Sequence, residues 1–272
     1  MTRRQSSMIN LLLILPLGYL MILAVLYFNQ DNMVFVPTRD TEANLDRQAA
    51  AEGFEPWFDA QGKRIGWQSR GGDDSQVLLI CGGNGGYALN RTHYRSDLSA
   101  QGCNWKIFLV EYPGYGARPG KPGEKALTEA AIEAFDTLAA RPDRTIRVVG
   151  ESLGSGVAGA LTAARGDRIA GLVLVTPFDS LANAAAAHYP WLPVSLLLRT
   201  KFDSAKNLKA YPGPVGFILG ENDRTVPTEL GEKLFEMYPG RKKRWLVPDA
   251  GHDCSHFIGS EWRQVMDFLT AS

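Results

Sequence analysis

The sequence predicts an α/β protein: a mostly parallel central sheet with helices on both faces, a short cap insertion and an N-terminal transmembrane helix. Three observations lead there. From residue 54 onward, short apolar runs alternate with helix-like stretches. One connection, 179–212, is much longer than the others. Residues 9–28 carry no charged side chain at all.

The apolar runs are 77–81, 106–110, 146–149, 169–175, 215–219 and 244–247. Each is too short for a buried helix and rich in Val, Ile and Leu, the composition of strands covered on both faces. Ahead of them, Phe54–Phe58 and Arg64–Ser69 flank the turn signal Asp59-Ala60-Gln61-Gly62 and read as a hairpin. Helix-like stretches fall at 90–101, 124–140, 153–165, 228–238 and 260–270. Such alternation implies a parallel sheet with helices on both sides. The connection 179–212 contains Tyr189-Pro190-Trp191-Leu192-Pro193 and Leu196-Leu197-Leu198. An insertion of that length with that apolar content is expected to cap a cleft.

Residues 9–28 contain Asn10 as their one strongly polar side chain. At about 1.5 Å rise per residue they reach roughly 30 Å, the thickness of a bilayer's hydrocarbon core. Pro16 and Gly18 are tolerated in membrane helices, and Tyr27 and Phe28 suit the interface. The apolar region exceeds that of a signal peptide, and Asn29-Gln30-Asp31 offers no small-residue cleavage site. Residues 1–30 therefore read as an uncleaved anchor and 31–272 as the folded domain. Arg3 and Arg4 precede the span, whereas Asp31 follows it with no basic residue before Arg39. The positive-inside rule puts the N-terminus in the cytoplasm and the domain on the extracytoplasmic side, the periplasm in a Gram-negative cell.

The 272 residues carry 29 basic and 29 acidic side chains. This balance provides no field to attract nucleic acid, so no nucleic-acid partner is expected. The basic run Arg241-Lys242-Lys243-Arg244 reads as a solvated strand entry. Cys81, Cys103 and Cys254 match no zinc spacing and read as buried free thiols, although a single bridge stays open. Gly154-Ser155-Gly156-Val157-Ala158-Gly159 matches the dinucleotide fingerprint in letters. It begins after the turn rather than at it, and no acidic residue ends a strand about twenty residues on. The small residues read as close helix–sheet packing, and no cofactor or metal is expected.

Gly150-Glu151-Ser152-Leu153-Gly154 follows the strand 146–149 and precedes a helix. A serine on so tight a strand-to-helix turn needs small neighbours and becomes exposed as a nucleophile. A hydroxyl needs a base and an acid to orient that base. His252, in the loop after the last strand, is the base expected from position, ahead of His256, which reads as capping the final helix. His93 and His188 read as surface or cap residues. The acid expected is Asp223, just after strand 215–219, ahead of Asp179 and Glu221. The order Ser152, Asp223, His252 suits a nucleophile elbow. The oxyanion is expected to meet the backbone N–H of Leu153 and that of Asn84, with Gly83 as the alternative, in the loop Gly82-Gly83-Asn84-Gly85-Gly86.

With these residues, the chain resembles the α/β-hydrolase superfamily, most closely a membrane-anchored branch with monoacylglycerol-lipase-like and depalmitoylase-like serine hydrolases. The resemblance covers residue 33 to the C-terminus. It also rests on Glu111-Tyr112-Pro113-Gly114-Tyr115-Gly116, Thr176-Pro177-Phe178-Asp179-Ser180-Leu181, Tyr189-Pro190-Trp191-Leu192-Pro193, Lys201-Phe202-Asp203-Ser204 and Met33-Val34-Phe35-Val36-Pro37. Two features depart from it: Cys81-Gly82-Gly83 stands where the family has His-Gly, and Glu111-Tyr112-Pro113 where it has Asp-Tyr-Arg. The expected activity is hydrolysis of an ester or thioester of a small acyl or lipid-like substrate through an acyl-serine intermediate, with the membrane contacted through the N-terminal helix. A serine peptidase on the same fold and a non-catalytic membrane-tethered binding protein are the alternatives. Profiling ester against peptide substrates separates the peptidase, and a binding protein is expected to show no turnover of short p-nitrophenyl esters.

Overall fold

The computed structural model describes residues 3–254 and 261–271, with side chains from Leu15 onward. Eight strands form one sheet in the order β1-β2-β4-β3-β5-β6-β7-β8. They are β1 (Phe54–Phe58), β2 (Arg64–Ser69), β3 (Asp73–Cys81), β4 (Trp105–Val110), β5 (Thr145–Glu151), β6 (Gly171–Val175), β7 (Val215–Gly220) and β8 (Lys242–Val247). The hairpin β1–β2 joins β4 antiparallel, and every pair from β4 to β8 is parallel. Parallel pairing needs crossovers, and helices supply them.

The helices are α1 (Arg3–Val34), α2 (Glu42–Ala51), α3 (His93–Ala100), α4 (Glu124–Ala139), α5 (Leu153–Arg165), α6 (Leu181–His188), α7 (Val194–Leu197), α8 (Ser204–Leu208), α9 (Thr228–Met237) and α10 (Glu261–Thr270). Strand residues alternate between two cores. Val77, Leu79 and Cys81 face one, and Leu78 and Ile80 face the other. Leu127, Ala131, Phe135 and Leu138 of α4 and Val157, Ala158 and Leu161 of α5 close the first face. Tyr94 and Leu98 of α3 and Trp262, Val265, Met266 and Leu269 of α10 close the second. The spacing of these residues by three and four is that of one helical stripe.

Several boundaries differ from the sequence reading. The stretch 90–101 begins as a 3-10 turn, Ala88–Arg91, before α3. The strand expected at 169–175 starts at Gly171, because Gly166–Arg168 forms another such turn. The last strand starts two residues earlier than expected, so the basic run enters β8. Helix α2 was not anticipated: of its ten residues only Leu45 and Ala49 are buried, too faint a stripe to read. The connection 179–212 folds as α6, α7 and α8, each short.

Helix α1 leans on this connection. Tyr19 Oη donates to the Trp191 carbonyl at 3.0 Å. Gln30 donates to the Leu197 carbonyl at 3.2 Å and accepts from the Arg199 N–H at 2.6 Å. Arg199 also pairs with Asp31 at 2.9 Å and lies over the Tyr27 ring. Among the described residues no helix is long and apolar enough to cross a membrane. Residues 9–14 of the expected span lie outside the described side chains. The expected cap at His256 also lies outside the described residues.

Candidate active site

The sheet register brings together the strand ends that carry the candidate residues. Cys81 sits opposite Gly150, and Gly220 sits opposite Val247. The loop after β3 therefore flanks Ser152, and the loops after β7 and β8 lie side by side. Ser152 has φ 53° and ψ −119°, a region that a residue with a Cβ occupies only when its surroundings hold it. Its N–H donates to the Val175 carbonyl at 2.9 Å and its carbonyl accepts from Ser155 at 2.8 Å. The turn also demands glycine at 154, where a Cβ would drive into the Cys81 carbonyl oxygen. Ser152 caps the N-terminus of α5, where the helix dipole favours developing negative charge.

Ser152 Oγ lies 2.8 Å from His252 Nε2, and His252 Nδ1 lies 2.7 Å from Asp223 Oδ2. The buried Asp223 carboxylate is held on its other oxygen by the Thr225 and Val226 N–H groups, at 2.8 and 2.9 Å. The histidine loop is tied to the acid loop twice. Asn222 N–H donates to the Ala250 carbonyl at 2.8 Å, and Asp249 N–H donates to the Glu221 carboxylate at 2.9 Å. Glu221, weighed as an acid, is thus a tie between loops. Asp179, the other alternative, is occupied by Lys233 at 2.6 Å and Asn183 at 2.6 Å.

The loop after β3 is braced by the Glu111–Gly116 motif. Tyr112 Oη donates to the Gly82 carbonyl at 3.2 Å, and Tyr115 Oη donates to Asn84 Oδ1 at 2.8 Å. Asn84 also bridges to the end of α1, donating to the Val34 carbonyl at 2.6 Å and accepting from Val36 N–H at 2.9 Å. A Cβ on Gly83 would lie 3.2 Å from Ser152 Cβ, so the Gly83 backbone borders Ser152 directly. Glu111 accepts from Ala88 N–H at 3.1 Å. The motif was legible only as a family resemblance, because its partners are far away in sequence.

Burial pushes the Glu111 carboxyl up from 4.5 to about 7; the hydrogen bonds from Ala88 and Trp67 and the charges of Arg118 and Arg91 only partly oppose this. Between those values the folded state holds a proton that the unfolded chain releases, so stability falls as pH rises through this window. Glu111→Gln is expected to remove that fall, read as denaturation midpoints at about pH 5 and about pH 8.

Sequence reading also missed Arg91. Its Nε contacts the Glu151 carboxylate at 2.5 Å, next to Ser152 in sequence and beneath the glycine loop. Burial opposes the Arg91 charge, and Glu151 more than offsets it, so its pKa lies above the ordinary value. His93, read as a surface or cap residue, is half-buried and lines the cleft. The cleft, about 350 Å³, is lined by Asn84, Asn90, Arg91, His93, Ser152 and His252 among others. His188 lies at the end of α6, in the inserted connection.

Cys81, Cys103 and Cys254 are free and buried. Burial pushes the Cys81 and Cys254 thiols up to about 12, which removes them as nucleophiles. The glycines of the fingerprint-like stretch pack, Gly154 on Cys81 and Gly156 on the Phe202 ring. Among the described residues no group of His, Cys, Asp and Glu side chains is arranged to hold a metal ion.

The α/β-hydrolase fold family matches residues 76–207. A Mycobacterium tuberculosis protein of uncharacterised function is 36% identical over 185 residues, covering 67% of this chain and 64% of its own. The lysophosphatidylserine lipase ABHD12 of Xenopus tropicalis is 30% identical over 243 residues, covering 78% of this chain and 62% of its own. This chain therefore spans less than two thirds of the length of these relatives. An α/β-hydrolase of Vibrio vulnificus superposes with a TM-score of 0.64 at 23% identity, over 84% of this chain and 85% of its own. The protein is a member of the α/β-hydrolase superfamily.

Proposed function

We propose that this protein is a serine hydrolase that cleaves an ester or thioester of a lipid-like acyl substrate. The observation that carries the reading is the unbroken hydrogen-bonded line from Ser152 through His252 to Asp223, placed on a strained strand-to-helix turn. In this reading His252 takes the Ser152 proton as the oxygen attacks the carbonyl, and Asp223 holds the imidazole and stabilises its charged form. The Leu153 and Asn84 N–H groups receive the developing oxyanion, with Gly83 as the alternative donor. His252 then passes the proton to the leaving group. Water, activated by the same base, releases the acyl group from Ser152.

Two features favour a lipid-like substrate: a relative is named for lysophosphatidylserine hydrolysis, and α1 exposes a long apolar surface. Leu15, Leu17, Leu20, Met21 and Phe28 are all exposed there. We read α1 as the membrane anchor, with the N-terminus cytoplasmic and the hydrolase domain on the other side, its inserted connection docked on α1 at Tyr19 and Gln30 and so seated at the membrane face. A fluorophosphonate probe is expected to label the full-length protein and to leave Ser152→Ala unlabelled. Equal labelling of both would overturn the assignment.

A further inference from the structure

The cleft around Ser152 is polar: none of the described residues lining it is Val, Leu, Ile, Met or Phe. It can seat a carbonyl and a polar leaving group, but it provides little for an acyl chain. A second cavity, of about 300 Å³, lies between α1 and the inserted connection. Ile22, Leu26, Met33, Trp191, Leu192 and Leu197 are among the residues lining it. Gln30 also lines it, but its amide is committed to the backbone of Tyr27, Leu197 and Arg199. The cavity is therefore made for an apolar guest.

Its two walls end on the loops that carry Asn84 and Asp223. The α1 wall ends at Val34, whose carbonyl accepts from Asn84. The other wall contains Ala185 of α6, and the same helix ends at His188, whose Nε2 lies 2.8 Å from the carbonyl of Thr225, two residues past Asp223. Exposed apolar side chains flank the groove in sequence on both elements: Met21 and Val25 on α1, Trp191 and Leu196 in the connection.

We propose that this groove binds the acyl chain of the substrate, with the ester carbonyl at Ser152 and the polar leaving group toward Asn90 and Arg91. The substrate class is then a single-chain amphiphilic ester that enters from a lipid surface along α1. The proposal rests on the serine-hydrolase reading and adds which wall selects the acyl group. Each buried methylene strengthens binding severalfold, so a groove that holds part of a chain produces a steep preference for long esters.

The test compares p-nitrophenyl dodecanoate with p-nitrophenyl acetate, using the full-length protein in detergent micelles. Wild type is expected to favour the dodecanoate in kcat/KM. Ala185→Trp, which fills the groove, is expected to lower the dodecanoate-to-acetate ratio about tenfold or more. Leu26→Asn, which adds polarity without bulk, is expected to move it the same way. An unchanged ratio in both variants, with acetate still hydrolysed, overturns the groove and leaves the hydrolase reading standing. Failure of wild type to hydrolyse either ester removes the hydrolase reading, and the groove's role with it.

Discussion

Replacing His252 with alanine is expected to lower kcat about a millionfold, and replacing Asp223 with asparagine about ten-thousandfold. The two losses differ because the residues do different work. Without the imidazole at 2.8 Å, the Ser152 hydroxyl keeps its proton and is a poor nucleophile. With asparagine at 223 the imidazole remains in place, but the group facing Nδ1 no longer carries the charge that favours Nδ1–H and stabilises the imidazolium. Residual rate in either variant measures what the oxyanion donors and binding supply alone. The check is steady-state hydrolysis of a p-nitrophenyl ester by each variant; losses below tenfold for both would contradict the assigned roles.

The second large effect is on stability. Arg91→Met is expected to destabilise the fold by about 3–5 kcal/mol, because it leaves the Glu151 carboxylate buried without its partner. Glu151 carries only a small exposed fraction and contacts Arg91 at 2.5 Å. For a chain of this size the loss corresponds to a Tm lower by roughly 10 °C. The double variant Arg91→Met with Glu151→Gln is expected to recover part of the loss, since no charge is then stranded. Circular dichroism melts of the three proteins check this. An Arg91→Met protein that melts with wild type would show that the pair carries no net stability.

The sheet was legible because its strands are continuous apolar runs separated by amphipathic stripes, as in 77–81 and in α4. Ser152, Asp223 and His252 could be placed because each sits at a strand end marked by its own turn: the glycines around Ser152, the polar loop after β7 and the Ala250-Gly251 turn after β8. Features that depend on distant pairing were not legible. Arg91 and Glu151 are separated by 60 positions, and nothing near Arg91 signals a carboxylate. The latch between Asn84 and Val34 spans 50 positions and runs to a backbone carbonyl, which no side-chain pattern can announce. Helix α2 escaped because two buried residues make no stripe.

We propose Ser152 as the residue whose hydroxyl oxygen attacks the substrate carbonyl. The most direct measurement is peptide mass mapping of the full-length protein after reaction with a fluorophosphonate. The expected result is a single phosphonyl adduct on the peptide containing Ser152, absent from His252→Ala under the same brief exposure. An adduct on any other residue, or none while ester turnover continues, would contradict the account.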